Sequence, residues 1–439
     1  MGLYHTIGSE LLVHGVSVDV FNIGHAQLGL YVLSELVKPS AGRIFTYSES
    51  SEQLTADLIR VIWEERYSNC FLVLRCPPFV QLDRIMGPSI QAVSQSKVSS
   101  TSYPKDTAVY FHINSLGPNE TLAAYLQLVD SDDVAEAAAG AITVQTEVTY
   151  TNRKNERVVR ICTFQIRTSS DLDTIFAALD GDVTAVLLAR LAVVQARILK
   201  GTDHLYAAFF VVIIVYELVH GNRDKTVSAI VHAVDASFKL PLSLQDLPMR
   251  MYHLRRGTLM GSLLQHPDDI ALAQTAFLSM PLEPSLRQIT PTFLMFAASP
   301  DDPNVVYSLQ LPLVNLAMRS DRVLLLDDQT SLMVWFGRAS LAPELEPVRK
   351  FALEFATQLA KDRFPRPTIR TLQEGSSMAR FLLCRLAPLH KEAQGAQEQQ
   401  LPELAALPRH DYQRLLASFY RTDELSYGEY CRHLQRLHK

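Results

Sequence analysis

Val16, Val18 and Val20 alternate with Ser17 and Asp19, a period of two that predicts a strand near the amino terminus. Leu28 to Val37 has helical spacing that stops before Pro39, Arg43 to Tyr47 is again strand-like, and Ser50-Ser51-Glu52 opens a helical pattern running to Glu65. Two strand-helix units read as a piece of an α/β sheet. An open sheet usually has about four to six strands, so the rest of this one is expected from an amino-terminal segment that this sequence does not contain. From about Phe71 to Phe164 the pattern is β: Val144, Thr146, Val148 and Tyr150 share one face and Gln145, Glu147 and Thr149 the other. Thr151-Asn152-Arg153-Lys154-Asn155 supplies turn residues, and Val158, Arg160, Cys162 and Phe164 resume the alternation, a hairpin within an expected sandwich. Asp130-Ser131-Asp132-Asp133 and Ala137 to Gly140 read as a solvated connection.

After Ser169-Ser170-Asp171 the period turns helical. Val183, Leu187, Leu191, Val194 and Ile198 form one stripe, and a helical domain is expected to about Ser279. Pro281, Pro284 and Pro291 mark a boundary, because proline interrupts both kinds of regular hydrogen bonding. Beyond it the signals mix. Arg322 to Leu326, a turn at Asp327-Asp328-Gln329-Thr330, and Leu332 to Gly337 predict a hairpin. A helix is expected from about Pro347, with Glu344 and Glu346 at its head, Lys361 and Arg363 at its tail, and an apolar stripe of Val348, Phe351, Phe355 and Leu359. Arg363-Phe364-Pro365-Arg366-Pro367 ends it, Phe381-Leu382-Leu383 reads as a further strand, and Lys391 to Gln400 as a polar linker before a final helix ending at Lys439.

The 439 residues suggest two to four domains at roughly 100–200 residues each. With 48% hydrophobic and 20% charged residues, most of the chain is expected to fold. The charge is 41 − 46 = −5 without a dense basic run, so nothing in the bulk electrostatics calls for nucleic acid. Cys70, Cys76, Cys162, Cys384 and Cys431 are odd in number, scattered and free of any C-x-x-C pair, the pattern of a reduced cytosolic chain. Met1 to Thr6 has no basic segment followed by an apolar one, so no secretory signal is expected. The longest apolar run, Leu205 to Tyr216, covers less than the roughly 30 Å of a bilayer core and meets Glu217 at once, which favours a buried helix over a membrane span.

Common catalytic signatures are absent: there is no G-x-x-x-x-G-K-[ST] phosphate loop, G-x-G-x-x-G turn, H-E-x-x-H pair or G-x-S-x-G elbow. A self-contained enzyme is not expected. Histidines such as His253 and His390 lack metal-ligand spacing and read as surface or hydrogen-bonded core residues. Asn119-Glu120-Thr121 fits a glycosylation sequon, which has no meaning in a cytosolic chain.

Five stretches, in order, resemble the Sec twenty-three family of COPII coat subunits. They are Ala189-Arg190-Leu191-Ala192, Tyr252-His253-Leu254-Arg255-Arg256, Arg322-Val323-Leu324-Leu325-Leu326-Asp327, Arg363-Phe364-Pro365-Arg366-Pro367 and Ala379-Arg380-Phe381-Leu382-Leu383. The ending Thr422-Asp423-Glu424-Leu425-Ser426 is also similar. The resemblance implies a multidomain α+β fold: an α/β remnant of a von Willebrand type A-like trunk at 1–70, a β-sandwich at 71–165, an all-α helical domain at 166–280, a gelsolin-like α/β domain at 281–390, and a linker and terminal helix at 391–439. It further implies a coat subunit of endoplasmic reticulum to Golgi transport that stimulates GTP hydrolysis by a Sar-type small GTPase in its GTP form. The other implied partners are a Sec twenty-four-like subunit, outer-coat subunits like Sec thirteen and Sec thirty-one, and the endoplasmic reticulum membrane, touched peripherally from the cytoplasm.

In this family a gelsolin-domain loop, usually Gly-Gly-Ser-Gln-Ala-Arg-Phe, inserts its arginine into the GTPase site. Here the loop reads Gly375-Ser376-Ser377-Met378-Ala379-Arg380-Phe381, with Ser376 in place of a glycine and Met378 in place of a glutamine. Arg380 is therefore the implied catalytic residue, with Gly375, Ser376, Ser377 and Phe381 supporting it. The chemistry suits a planar, permanent cation facing the charge that develops on a transferring phosphoryl group. Without the resemblance, Arg380 would be an ordinary solvated arginine. An adjacent pair such as Arg255 and Arg256 cannot both face one partner from a helix, so at least one is expected in a salt bridge or in solvent. Asp327 and Asp328 read as turn residues first.

The family's zinc finger, early sandwich strands and most of its trunk have no counterpart here, so neither metal nor cofactor is expected. A truncated gene model is the expected reason, ahead of a divergent paralogue or one half of a split protein, because a sandwich short of strands leaves open edges. The competing function is a non-catalytic coat or cargo-adaptor paralogue resembling the Sec twenty-four adaptors.

Overall fold

The computed structural model describes residues 2–24, 29–47, 52–88, 91–92, 108–128, 141–169, 171–198, 242–261, 267–302, 305–419 and 424–437. The chain divides into two compact units, Met1–Leu179 with His266–Pro281, and Asp180–Gln265 with Leu282–Lys439. The expected connection at 130–140 and the apolar run at 205–216 lie outside the described residues. Among the described residues no helix is long and apolar enough to cross a membrane.

In the first unit, Val20–Ile23 (β1) and Ile44–Tyr47 (β2) pair in parallel, as the two strand-helix patterns predict. The strand begins only at Val20. A helix, Leu3–Val13, precedes it without having been signalled by the pattern. Helices Leu30–Val37 and Glu52–Trp63 bury Leu30, Val37 and Leu54, and the buried Asp57 accepts the Tyr47 hydroxyl at 3.0 Å.

The strands that follow are Tyr67–Arg75 (β3), Val80–Met86 (β4), Gln91–Ala92 (β5), Ala108–Leu116 (β6), Ala123–Leu128 (β7), Ala141–Thr151 (β8) and Arg157–Arg167 (β9). They form an antiparallel sheet in the order β5-β6-β3-β8-β9 and a second pair, β4-β7. Cys70, Leu72, Phe111, Ile113 and Tyr150 on the first sheet pack against Leu82, Ile85 and Leu122 of the second layer, which makes this a sandwich. The β8–β9 turn is held by Asn152, whose Oδ1 accepts from the Lys154 and Glu156 amides, with Asn155 in the left-handed region at φ 62°.

The second unit is built on a five-stranded sheet of Thr292–Ala298 (β10), Val306–Gln310 (β11), Val323–Asp327 (β12), Ser331–Phe336 (β13) and Thr368–Gln373 (β14), in the order β11-β10-β12-β13-β14. Both faces are covered, which is why β12 and β13 read as unbroken apolar runs. Val323, Leu325, Leu332, Val334 and Phe336 meet the helix Glu346–Asp362. Leu324, Leu326, Met333 and Trp335 face the other way, into a core shared with Tyr252, Leu382, Leu386, Leu404 and Tyr430.

Several local expectations are corrected. In Glu346–Asp362 the buried residues are Val348, Ala352, Ala356 and Ala360, while Phe351 is 36% exposed and Phe355 is partly buried. Small side chains let the helix approach the sheet, and the two phenylalanines flank the contact edge-on to Phe296. In Gly181–Ile198 burial runs round the helix from Ala185 to Val193 except at Leu187, with Val183 exposed, so it is a central helix rather than a one-stripe helix. The expected linker contains a helix, Gln394–Gln400, whose buried Gln397 donates to the Glu392 carbonyl at 2.8 Å. The expected final helix is two, Arg409–Ala417 and Tyr427–Leu437.

Asp327, at the end of β12, is joined through both carboxylate oxygens to Arg363 just beyond the long helix, one of the contacts being 2.6 Å, and both side chains are nearly buried. Removing one partner strands a buried charge. Arg363→Ala should therefore lower stability by about 3–5 kcal/mol, read by urea unfolding followed through Trp335 fluorescence in a Trp63→Phe background.

Candidate functional site

The loop after β14 turns at Gly375, whose φ of +82° lies where a side chain would be strained. Its start is clamped on both sides: Glu374 Oε1 accepts from the Ser320 hydroxyl and Oε2 from the Arg338 amide, each at 2.7 Å. Ser376 has ordinary extended angles, φ −73° and ψ 141°, and its Oγ accepts from the Met378 amide at 3.2 Å. A glycine is thus not required at 376, and the serine adds a cap to the turn Ser377–Ala379.

That turn runs on into a short helix, Arg380–Leu383, where a strand was expected. Three adjacent apolar residues do not distinguish strand from helix. Here the helical turn buries Ala379 and Leu382, three apart, while Phe381 and Leu383 pack at the margin of the same core. The outward positions of the loop are Ser376, Ser377, Met378 and Arg380, all exposed. The Arg380 guanidinium carbon lies 5.5 Å from the Phe381 ring centroid, and among the described residues Arg380 forms no salt bridge. Of the residues expected at the site, Gly375, Ser376 and Ser377 lie in the turn and Arg380 and Phe381 open the short helix, with the Arg380 guanidinium over the Phe381 ring.

The base of the loop is fixed by Arg256, one of the pair for which a salt bridge was expected. Arg256 ends the helix Leu247–Arg256 and is 8% exposed. It donates to the Leu386 carbonyl at 2.7 Å, the Cys384 carbonyl at 3.3 Å and Glu424 at 2.8 Å. Arg255 reaches the same carboxylate at 3.4 Å, so both members of the pair are engaged within the unit. Tyr252 donates its hydroxyl to the Leu425 carbonyl at 2.8 Å. Asp328 keeps its expected turn role, accepting from the Ser331 amide at 2.7 Å, and also faces Arg385 at 3.7 Å. Asp327 keeps its turn role too, accepting from the Gln329 amide at 3.0 Å, and in addition holds Arg363. Pattern reasoning missed Glu374 and Arg338, and did not see what Arg256 holds, because each acts through contacts distant in sequence.

A gelsolin-repeat family model matches residues 318–382, a span that ends two residues past Arg380. Over 431 residues the chain is 27% identical to "Protein transport protein SEC23 A" of Arabidopsis thaliana, covering 98% of this chain and 46% of that one. The chain is similar to the Sec twenty-three/twenty-four family over nearly its whole length. Its fold is matched by the crystal structure of the human COPII-coat protein Sec24c at a TM-score of 0.71 and 14% identity, over 100% of this chain and 53% of the other. The chain spans about half the length of the relatives it matches, and its fold is multidomain α+β.

His253, beside Arg256, is buried, and loss of hydration together with the Arg256 charge pushes its pKa down to about 3. The folded state holds this imidazole neutral, while the unfolded chain takes up a proton near pH 6.5. Stability from this group is therefore present above about pH 6.5 and is lost as pH falls toward 3. Between pH 6.5 and 5 the loss should approach about 1.4 kcal/mol per pH unit, and His253→Asn should flatten that part of the profile in urea titrations.

Proposed function

We propose that the chain is a COPII coat subunit that activates GTP hydrolysis by a Sar-type small GTPase in its GTP form, with Arg380 as the one catalytic residue it supplies. The observation that carries this reading is an exposed arginine, without a salt bridge among the described residues, on a braced loop in the position of the family's finger motif. In this reading the chain contributes Arg380 to another protein's active site.

The geometry suits the chemistry. As the γ-phosphoryl group transfers, negative charge spreads over its oxygens, and a guanidinium reaching two of them stabilises that charge more than it stabilises the ground state. A loop anchored by Ala379 and Leu382 loses little further entropy on docking, so binding energy is available for placing the cation. Lysine offers no planar fork and would replace it poorly. The coat role carries with it the remaining partners: a Sec twenty-four-like subunit, outer-coat subunits like Sec thirteen and Sec thirty-one, and peripheral contact with the endoplasmic reticulum membrane. In this reading the first unit holds the trunk remnant and sandwich, and the second holds most of the helical domain with the gelsolin-like domain and terminal helices.

The test is single-turnover GTP hydrolysis by the Sar-type GTPase on liposomes. The wild-type chain should raise the rate by roughly a thousandfold or more, Arg380→Ala should abolish most of that gain, and Arg380→Lys should recover little of it. Binding of the GTP-loaded GTPase without stimulation by the wild-type chain would contradict the reading.

A further inference from the structure

Phe381 carries two guanidinium groups. Arg380 lies over its ring at 5.5 Å from the centroid, and Arg370 of β14 lies over the same ring at 5.2 Å. Both arginines are exposed, and among the described residues neither forms a salt bridge. Glu374, the acidic residue of this loop, is already engaged with Ser320 and the Arg338 amide. The ring is held from below, since Phe381 packs against the core that contains Leu382 and Trp335. Arg370 is held by its strand, whose register with β13 places it opposite Met333.

We infer that Arg370 and Phe381 position Arg380, forming with it a unit of two cations on one aromatic platform. This rests on the activator reading above. A free arginine samples many rotamers, and restricting them before docking removes part of the entropy otherwise lost when the guanidinium meets the phosphate. The ring restricts Arg380 by cation–π attraction. Arg370 acts through the ring: it covers Phe381 from a fixed strand and so limits where the second guanidinium can rest. It also keeps a second positive charge beside the finger without occupying the finger's place. Arg370 is thus a positioning residue, and its contribution appears in the rate of the bound complex rather than in the strength of docking.

The test uses the full chain and the Sar-type GTPase, with single-turnover rates measured at increasing chain concentration to separate the maximal rate from the half-saturating concentration. Arg370→Ala and Phe381→Leu should each lower the maximal rate about two- to fivefold, the scale of an exposed cation–π contact, and leave the half-saturating concentration unchanged. Phe381→Tyr should keep the wild-type rate and Arg370→Lys should restore part of it. In an Arg380→Ala background, Arg370→Ala should remove nothing further, because its path runs through Arg380. Thermal melting of each variant identifies a folding defect, and the Phe381→Tyr and Arg370→Lys pair still decides the matter if Phe381→Leu does not fold. An unchanged maximal rate in Arg370→Ala, an effect on half-saturation alone, or an additive loss in the Arg380→Ala background would overturn the inference while leaving the activator reading intact. Full stimulation by Arg380→Ala would remove both.

Discussion

The second unit depends on the buried guanidinium of Arg256. It is the last residue of the helix Leu247–Arg256, yet its donors reach the carbonyls of Cys384 and Leu386 and the carboxylate of Glu424. Three chain segments far apart in sequence meet on one planar group, a task that needs several donors in fixed directions and that an ammonium could not perform. The Cys384 carbonyl lies at the end of the short helix that begins with Arg380. Through Arg256 the order of the segment that carries Arg380 is tied to the order of the helical and terminal segments.

The sheet provides the second support. Alternate residues of β12 and β13 serve different cores, one against the alanine face of the long helix and one against the segment that carries the loop. The loop is consequently pinned through Leu372, Ala379 and Leu382 to a sheet that is itself packed on both sides. Rigidity beneath and, on top, a charge without a salt bridge among the described residues is the arrangement expected of a group that must meet developing negative charge without reorganising.

Much of this was legible in the sequence, and the exceptions have physical causes. The 323–336 hairpin, the helix from Glu346 and the β8–β9 hairpin follow from apolar period and turn residues, which are local properties. The 375–381 loop was singled out by resemblance alone, and Ser376 within it lies on extended backbone that a serine adopts freely. The conformation of Phe381 to Leu383 was not legible, since the choice between strand and helix was made by where Ala379 and Leu382 find core. Nor was the alanine face of the long helix, because a stripe drawn from the largest apolar residues misses a contact that favours small ones. Arg256 was weighed as a residue that could face a partner. Its burial is visible only when Cys384, Leu386 and Glu424 are placed around it.

The central claim is that Arg380 acts on the transition state, and the most direct measurement is a pair of affinities. The chain would be titrated against the Sar-type GTPase loaded with a non-hydrolysable GTP analogue, and against the same GTPase holding GDP with aluminium fluoride, which mimics the transferring phosphoryl group. The wild-type chain should bind the second form more tightly, and Arg380→Ala should bind the two forms equally. Equal binding by the wild-type chain, or a preference that survives the loss of Arg380, would contradict the account.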